Sequence, residues 1–372
     1  MIGAMLLALV AANSPLQPLY RAIHHMPVHL RFGSLVIDEP LVLWINDGLM
    51  ALFFVVVGLE IKRQLLEGHL ATAGRAALPA LAAFGGMAAP AAIYVLLTWS
   101  DPLLRRGWAI PTATDIVLAL GILAFLGRRV PDGLRVFLTA LAVFDDIGAV
   151  LVIALFYGHG VALTPLLVAG LAILGLVLAN RWRWTRPLPY LVLGVVLWAA
   201  MSRAGIEPAL AGVIIGAAVP LRAGAGGCRS PLRSAERSLH PYTTLLIVPL
   251  FAFFNAGIDV RAISLDTAPW SVMAGVALGL LLGKPLGIVA TTWIAIRLGI
   301  AELPRGVGWP QIHGVALLAG IGFTMSLFVT SLAFAGQDAI AAAKLAILLG
   351  SALSAAIGLL LLRAASPGSV TP

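Results

Sequence analysis

Four ionisable side chains stand at similar depth, well inside otherwise apolar runs of this sequence, and their placement limits the chemistry open to it. Asp145 and Asp146 are adjacent near the middle of the run 132–157, in Phe144-Asp145-Asp146-Ile147-Gly148. Lys284 lies near the middle of 270–299, in Leu282-Gly283-Lys284-Pro285. Asp115 lies within 107–126, in Ile110-Pro111-Thr112-Ala113-Thr114-Asp115. If these runs cross a membrane, each ionised group at that depth costs several kcal/mol, so it pairs with another or lines a watery cavity. A structural ion pair accounts for an isolated case. Four at similar depth point to a site that handles ions.

The adjacency of Asp145 and Asp146 adds a specific chemistry. Neighbours on a helix point about 100° apart, so one carboxylate can face a cavity while the other faces a packing partner. Two close carboxylates in a poorly solvated site bring proton binding toward physiological pH. A hard cation such as Na⁺ takes oxygen donors of the same kind: carboxylate, Thr hydroxyl and free backbone carbonyl. A site that holds either protons or the cation, never both, couples the two by competition.

Two of the runs are interrupted. Pro111 and the stretch Thr112-Ala113-Thr114 break one, and Gly320-Ile321-Gly322-Phe323-Thr324 breaks another. Unwound backbone in hydrocarbon leaves peptide groups unsatisfied and exposes the dipole ends of half-helices, so it is tolerated only beside a cavity or a charge. Asp115 is suited to offset the positive ends and Lys284 the negative ones, with Thr114, Gly322 and Thr324 at the breaks themselves. One interruption in each half of the chain is the pattern of an inverted-repeat transporter.

The elements that must carry these residues follow from composition. The chain has 372 residues, of which 60% are hydrophobic and only 11% charged. Water-soluble domains carry about a quarter of charged residues, so a soluble fold is excluded. A membrane helix with its loop takes roughly 30 residues, which allows about twelve spans. Twelve apolar runs are present, from 1–12 to 340–363. The expected fold is an all-α polytopic membrane protein forming a single integral-membrane domain over 1–372.

The net charge of +8 is loop charge, not the footprint of nucleic-acid binding. With the first run starting in the cytoplasm, sixteen Lys and Arg residues fall inside and six outside, with Lys284 and Lys344 within runs. That bias predicts both termini in the cytoplasm. The single cysteine, Cys228, excludes an intramolecular disulfide. Residues 1–12 are too few to span, no basic region precedes them and no small-residue cleavage site follows. The expectation is a truncated first helix with a start further upstream, not a cleavable signal peptide.

Outside the runs, Val28, Leu30 and Phe32 alternate with His29 and Arg31, Gly33-Ser34 can turn, and Leu35-Val36-Ile37 returns. A β-hairpin over 27–38 is expected on the outer surface. The basic, Gly-rich segment 221–240 is expected to be a mobile cytoplasmic loop. His24, His25 and His29 cluster, but no cysteine or carboxylate completes a ligand set, so they read as surface histidines. His240 and His313 lie near run ends, where a structural role outweighs pH tuning. Trp44, Trp108, Trp182 and Trp184 read as interfacial anchors.

At its intramembrane charges and breaks the sequence resembles the NhaA family of sodium/proton antiporters. The resemblance covers about residues 20–363 and rests on six motifs in order. These are Leu43-Trp44-Ile45-Asn46-Asp47, Gly58-Leu59-Glu60-Ile61-Lys62-Arg63, residues 107–116, residues 144–148, Gly283-Lys284-Pro285-Leu286-Gly287 and residues 320–326. The family is itself an example of the inverted-repeat rule used above, so those two observations are not independent.

The resemblance implies twelve helices with two broken helices crossing at mid-membrane, and a homodimer joined partly through the hairpin. It implies exchange of cytoplasmic Na⁺ or Li⁺ for external protons by alternating access. The exchange would be electrogenic, switched on at alkaline pH, and serve Na⁺ and pH homeostasis at the bacterial inner membrane. The partners would be Na⁺, Li⁺, H⁺ and membrane lipid, with no cofactor, no enzymatic reaction and no nucleic acid. Asp146 would be the principal cation and proton carboxylate, with Asp145 beside it and paired to Lys284 in one state. Asp115 and Thr114 would belong to the crossing. Glu60 and Glu236, near the cytoplasmic mouth, would take part in the pH response, with His240 a further candidate.

Two positions depart from the family pattern. Gln64 stands where Glu is frequent. Glu207, in Gly205-Ile206-Glu207-Pro208-Ala209-Leu210-Ala211-Gly212, stands where the family has a histidine linked to the pH response. A carboxylate titrates below an imidazole unless it is desolvated, so an altered pH profile with exchange intact is expected. Three rival readings compete. An intramembrane aspartyl protease needs a Gly-x-Gly-Asp pattern, which is absent here, and Lys284 would not serve such a dyad. A channel fits poorly with paired titratable carboxylates. A sodium-coupled symporter is the nearest alternative in mechanism.

Overall fold

In the computed structural model, the described residues are 1–372 except 33–34, 69–72, 159, 161, 223–229, 260–268 and 366–372. Helices dominate, as hydrocarbon requires: each backbone N–H and C=O must find its partner within the segment. Among the described residues nine helices are long and apolar enough to cross a membrane, and two bent pairs raise the number to eleven. The remaining apolar run carries the nine-residue helix Leu210–Ala218. The protein is thus a polytopic α-helical membrane protein.

Three regions extend or correct the sequence reading. Helix Ile2–Ala12 does not stand alone, but turns through 113° into Gln17–His24. Ser14-Pro15 lies at that corner, where proline cannot continue the helical hydrogen bonding. The hairpin pairs β1 (Pro27–Phe32) with β2 (Leu35–Pro40), antiparallel, with Pro27 opposite Pro40 and Phe32 opposite Leu35. It is two residues longer than expected, and the expected turn at 33–34 lies outside the described residues. Segment 221–240 is not a loop throughout, because Pro231–Tyr242 is helical. Its start is set by Ser230, whose hydroxyl accepts from the Arg233 N–H at 3.3 Å, with Pro231 at the first helical position.

The chain divides into two compact units, residues 1–64 with 153–261, and residues 65–152 with 262–372. In the first, helix Leu210–Ala218 packs directly on the backbone of span Leu41–Glu67. A Cβ placed on Gly212 would lie 2.0 Å from the Ala51 carbonyl oxygen, and one on Gly216 2.3 Å from that of Val55. This is the small-residue close packing that lets membrane helices approach.

The second unit holds both interruptions. Leu104–Thr112 is a tight 3₁₀ helix, the backbone runs extended at Ala113, and an α-helix resumes over Ile116–Phe125. Trp309–Ala319 and Phe323–Ala333 are bent by 44° at Gly320-Ile321-Gly322. The two breaks meet where the Asp115 N–H donates to the Ile321 carbonyl at 2.6 Å. Gly320 permits the approach of a third element, since a Cβ there would lie 2.4 Å from the Leu280 carbonyl oxygen. Leu280 belongs to a wide π turn, Gly279–Gly283, immediately before Lys284. Such turns recur at functional sites.

Candidate ion-binding site

Helix Asp132–Phe156 carries Asp145 and Asp146, with Asp145 buried and Asp146 only 8% exposed. Lys284, at the start of Lys284–Arg297, is wholly buried. Its Nζ lies 2.7 Å from Asp145 Oδ2 and also donates to the Thr112 carbonyl. The Thr114 hydroxyl lies 2.5 Å from the same Oδ2 and 2.9 Å from the Ala319 carbonyl oxygen. One hydroxyl proton serves one acceptor at a time, so Thr114 can turn between the carboxylate and the broken helix. Asp145 Oδ1 has no hydrogen-bond partner among the described residues. The Asp146 charge acts on the same lysine.

Asp115 works on the other side of the breaks. Its Oδ1 accepts from the Leu118 N–H at 3.0 Å, capping the helix it begins. Its Oδ2 accepts from the Thr324 N–H at 3.1 Å and the Thr324 hydroxyl at 2.5 Å, at the start of Phe323–Ala333. One carboxylate therefore serves two helix N-termini, where orphan N–H groups and the dipole both favour negative charge. Lys284 answers at a C-terminal end, on the last carbonyl of Leu104–Thr112. Gly322 leaves room for Ser326, whose Oγ would lie 2.1 Å from an added Cβ.

Chemically, the assembly offers two carboxylates, a hydroxyl and helix-end carbonyls around a buried ammonium. Among the described residues no three or more His, Cys, Asp or Glu side chains gather as a metal cluster. Oxygen donors of this kind are the type a hard cation takes.

The remaining predicted residues belong to the first unit. Arg63 Nε lies 2.9 Å from Glu236 Oε2, and its guanidinium 3.8 Å from Glu60 Oε1. The charge on His240 acts on Glu60 in the same cluster. Glu207 lies in the turn between Pro187–Ala204 and Leu210–Ala218. Burial pushes its carboxyl up to about 7, the charge of Asp47 adds to this, and the Ala209 N–H opposes it. His24 bonds the Phe254 carbonyl and packs on Tyr20 and Phe254.

Sequence reasoning missed several participants. Ser351 Oγ accepts from the N–H groups of Gly322 and Phe323 at 3.2 and 3.3 Å, and Ser326 Oγ donates to the Ile110 carbonyl at 2.7 Å. Hydroxyl residues inside apolar runs are the signal that would have found these two. The carbonyls of Thr112, Ala319 and Ile321 leave no such signal.

A buried carboxylate held by a lysine, with a second carboxylate next to it and two helix breaks meeting beside them in a polytopic membrane protein, is the arrangement of a secondary ion transporter. The Na⁺/H⁺ antiporter 1 family model matches residues 1–362. The chain is 50% identical over 360 residues to the Na⁺/H⁺ antiporter NhaA of Shewanella amazonensis (strain ATCC BAA-1098 / SB2B), covering 96% of this chain and 92% of the relative. It is 52% identical over 358 residues to that of Shewanella sediminis (strain HAW-EB3), with 95% and 89% covered. Among solved structures it resembles the sodium proton antiporter MjNhaP1 from Methanocaldococcus jannaschii at pH 8. The TM-score is 0.59 at 16% identity, covering 98% of this chain and 92% of that one, a likeness of fold. The chain belongs to the Na⁺/H⁺ antiporter 1 family.

Proposed function

We propose that this protein exchanges Na⁺ or Li⁺ for protons, with Asp146 as the carboxylate that alternates between cation and protons and Asp145 as its gated neighbour. The reading rests on the ion pair between Lys284 and Asp145, 2.7 Å long and fully buried, beside a second carboxylate. A cation arriving at the two aspartates competes with the ammonium for Asp145 and with protons for both carboxyls. Release of the cation lets the lysine and the protons return. Thr114, which reaches both Asp145 and Ala319, links occupancy of the site to the broken helix. Gly322 and Thr324 keep that helix end open and polar.

On this reading the exchange moves more protons than cations, takes cytoplasmic Na⁺ against external H⁺, and responds to pH through Glu60, Glu236, His240 and Glu207. The chain works as a homodimer in the bacterial inner membrane with both termini cytoplasmic. The relatives' names support antiport over a symporter or a protease. The deciding experiment uses everted vesicles with a preset pH gradient and no organic solute. Addition of Na⁺ or Li⁺ should dissipate the gradient with wild type, and not with Asp146→Asn or Asp145→Asn. If both variants behave as wild type, the proposed site is wrong.

A further inference from the structure

On the surface of the second unit, Lys284–Arg297 and Trp309–Ala319 line an open cleft of about 440 Å³. Its walls are Leu286, Val289, Ala290, Trp293, Trp309 and His313. The two helices end together here: Arg297 closes one and Trp309 opens the other. Trp293, Arg297, Trp309 and His313 thus lie within about one turn of the same membrane face, while Leu286, Val289 and Ala290 continue two turns deeper at 1.5 Å per residue. An amphipathic rim above an apolar slot has the proportions of a phospholipid.

The rim is also charged in one sense. The Arg297 guanidinium stacks over the Trp293 ring at 5.3 Å, which holds it in place without using its N–H groups. Arg297 has no carboxylate partner among the described residues. The exposed His313 donates from Nδ1 to the Trp309 carbonyl at 2.8 Å, so Nε2 points away and becomes a second donor when the ring is protonated. The acidic residue of the connecting segment, Glu302, lines a different cleft with Gly133 and Ala140. The N-terminus of Trp309–Ala319 is closed by its own Gln311, whose Oε1 accepts the Gly308 N–H at 2.9 Å, so it adds little to anion binding.

We infer that this cleft is a binding site for one anionic phospholipid, its phosphate on Arg297 and His313 and an acyl chain along Leu286, Val289 and Ala290. Charge complementarity selects this occupant: a guanidinium at the rim matches a phosphate, and Arg297 and Arg305 mark this end as the cytoplasmic one in the topology proposed above. The lipid braces the helix that begins at Lys284 against the half-helix whose last carbonyl, Ala319, meets Thr114. It therefore touches both moving parts of the proposed ion site without entering it.

The test uses the full-length purified protein in detergent. A photoactivatable phosphatidylglycerol is cross-linked and the labelled peptides are mapped. Wild type should be labelled within 286–293 and 309–313, and phosphatidylglycerol should compete about tenfold better than phosphatidylcholine, a difference of about 1.4 kcal/mol. Arg297→Gln with His313→Asn should lose that preference, and Ala290→Trp, which fills the slot without touching the charges, should lose the labelling. Equal competition by both lipids would reduce the site to general lipid contact and overturn the proposal. So would unchanged labelling in the variants, or cross-links from a second copy of the chain to these residues.

Discussion

Lys284 Nζ lies 2.7 Å from Asp145 Oδ2, while Oδ1 of that carboxylate has no hydrogen-bond partner among the described residues. A carboxylate normally uses both oxygens when buried, and leaving one bare costs free energy. The asymmetry leaves Asp145 with one oxygen engaged and one open. Removing the lysine strands a buried carboxylate, which in other proteins costs about 3–5 kcal/mol unless the group takes up a proton. Lys284→Ala should therefore lower the unfolding temperature in detergent and displace the pH profile of exchange, yet retain Na⁺-dependent dissipation of the gradient. Unchanged thermal stability would mean that the pair contributes nothing.

Asp115 should prove more sensitive than a single cap. Its two oxygens accept from the N–H groups of Leu118 and Thr324 and from the Thr324 hydroxyl. In Asp115→Asn one oxygen becomes an NH₂ facing a donor, so the substitution replaces attraction by repulsion despite equal size. Each buried donor left unmet costs about 1–3 kcal/mol. Asp115→Asn and Asp115→Ala should both lower thermal stability, and Thr324→Ser, which keeps the hydroxyl, should change it little. The same unfolding assay checks all three.

The contrast between Asp115 and its partners shows what was legible in the sequence. A charge inside an apolar run announces itself, so Asp115, Asp145, Asp146 and Lys284 are legible in the sequence alone. Their backbone partners are not, because the carbonyls of Thr112, Ala319 and Ile321 look like every other carbonyl. The helix runs were legible from hydropathy, which reports length but not local winding. The π turn at Gly279–Gly283 and the corner at Ser14-Pro15 therefore appear only in three dimensions. Helix Pro231–Tyr242 was missed because its many charges resemble a loop when only apolar length is sought.

Close packing behind the lysine makes a third prediction. A Cβ on Gly287 would lie 2.0 Å from the Gly85 carbonyl oxygen, and one on Gly85 2.4 Å from that of Gly287. Both obstacles are backbone, so no side chain can swing aside. Gly287→Ala must push Lys284–Arg297 off Ala73–Leu97, at an overpacking cost of about 1–3 kcal/mol. Lys284 is three residues away on the same helix and moves with it. The variant should lose thermal stability together with exchange, whereas Ile294→Val, on the exposed face of that helix, should lose neither. Wild-type stability in Gly287→Ala would show that the two helices have room to spare.

Glu207 gives the pH prediction. In its turn, burial and then the charge of Asp47 push the carboxyl from its ordinary 4.5 up to about 7. A carboxyl whose folded value is raised favours the folded state while protonated. Its contribution is full below about 4.5 and is lost as pH rises through about 7. Wild-type thermal stability should therefore fall across neutral pH, and Glu207→Gln, which cannot ionise, should remove that component of the slope. Glu207→His should respond in the same direction for a different reason, since an imidazolium beside Asp47 is stabilised on protonation. The activation profile of exchange in Glu207→His should also move relative to wild type. Unfolding temperatures collected from about pH 5 to about pH 9 decide the matter. Parallel curves for wild type and Glu207→Gln would mean that Glu207 is ionised in the folded protein throughout, and that its neighbourhood with Asp47 does not hold its proton.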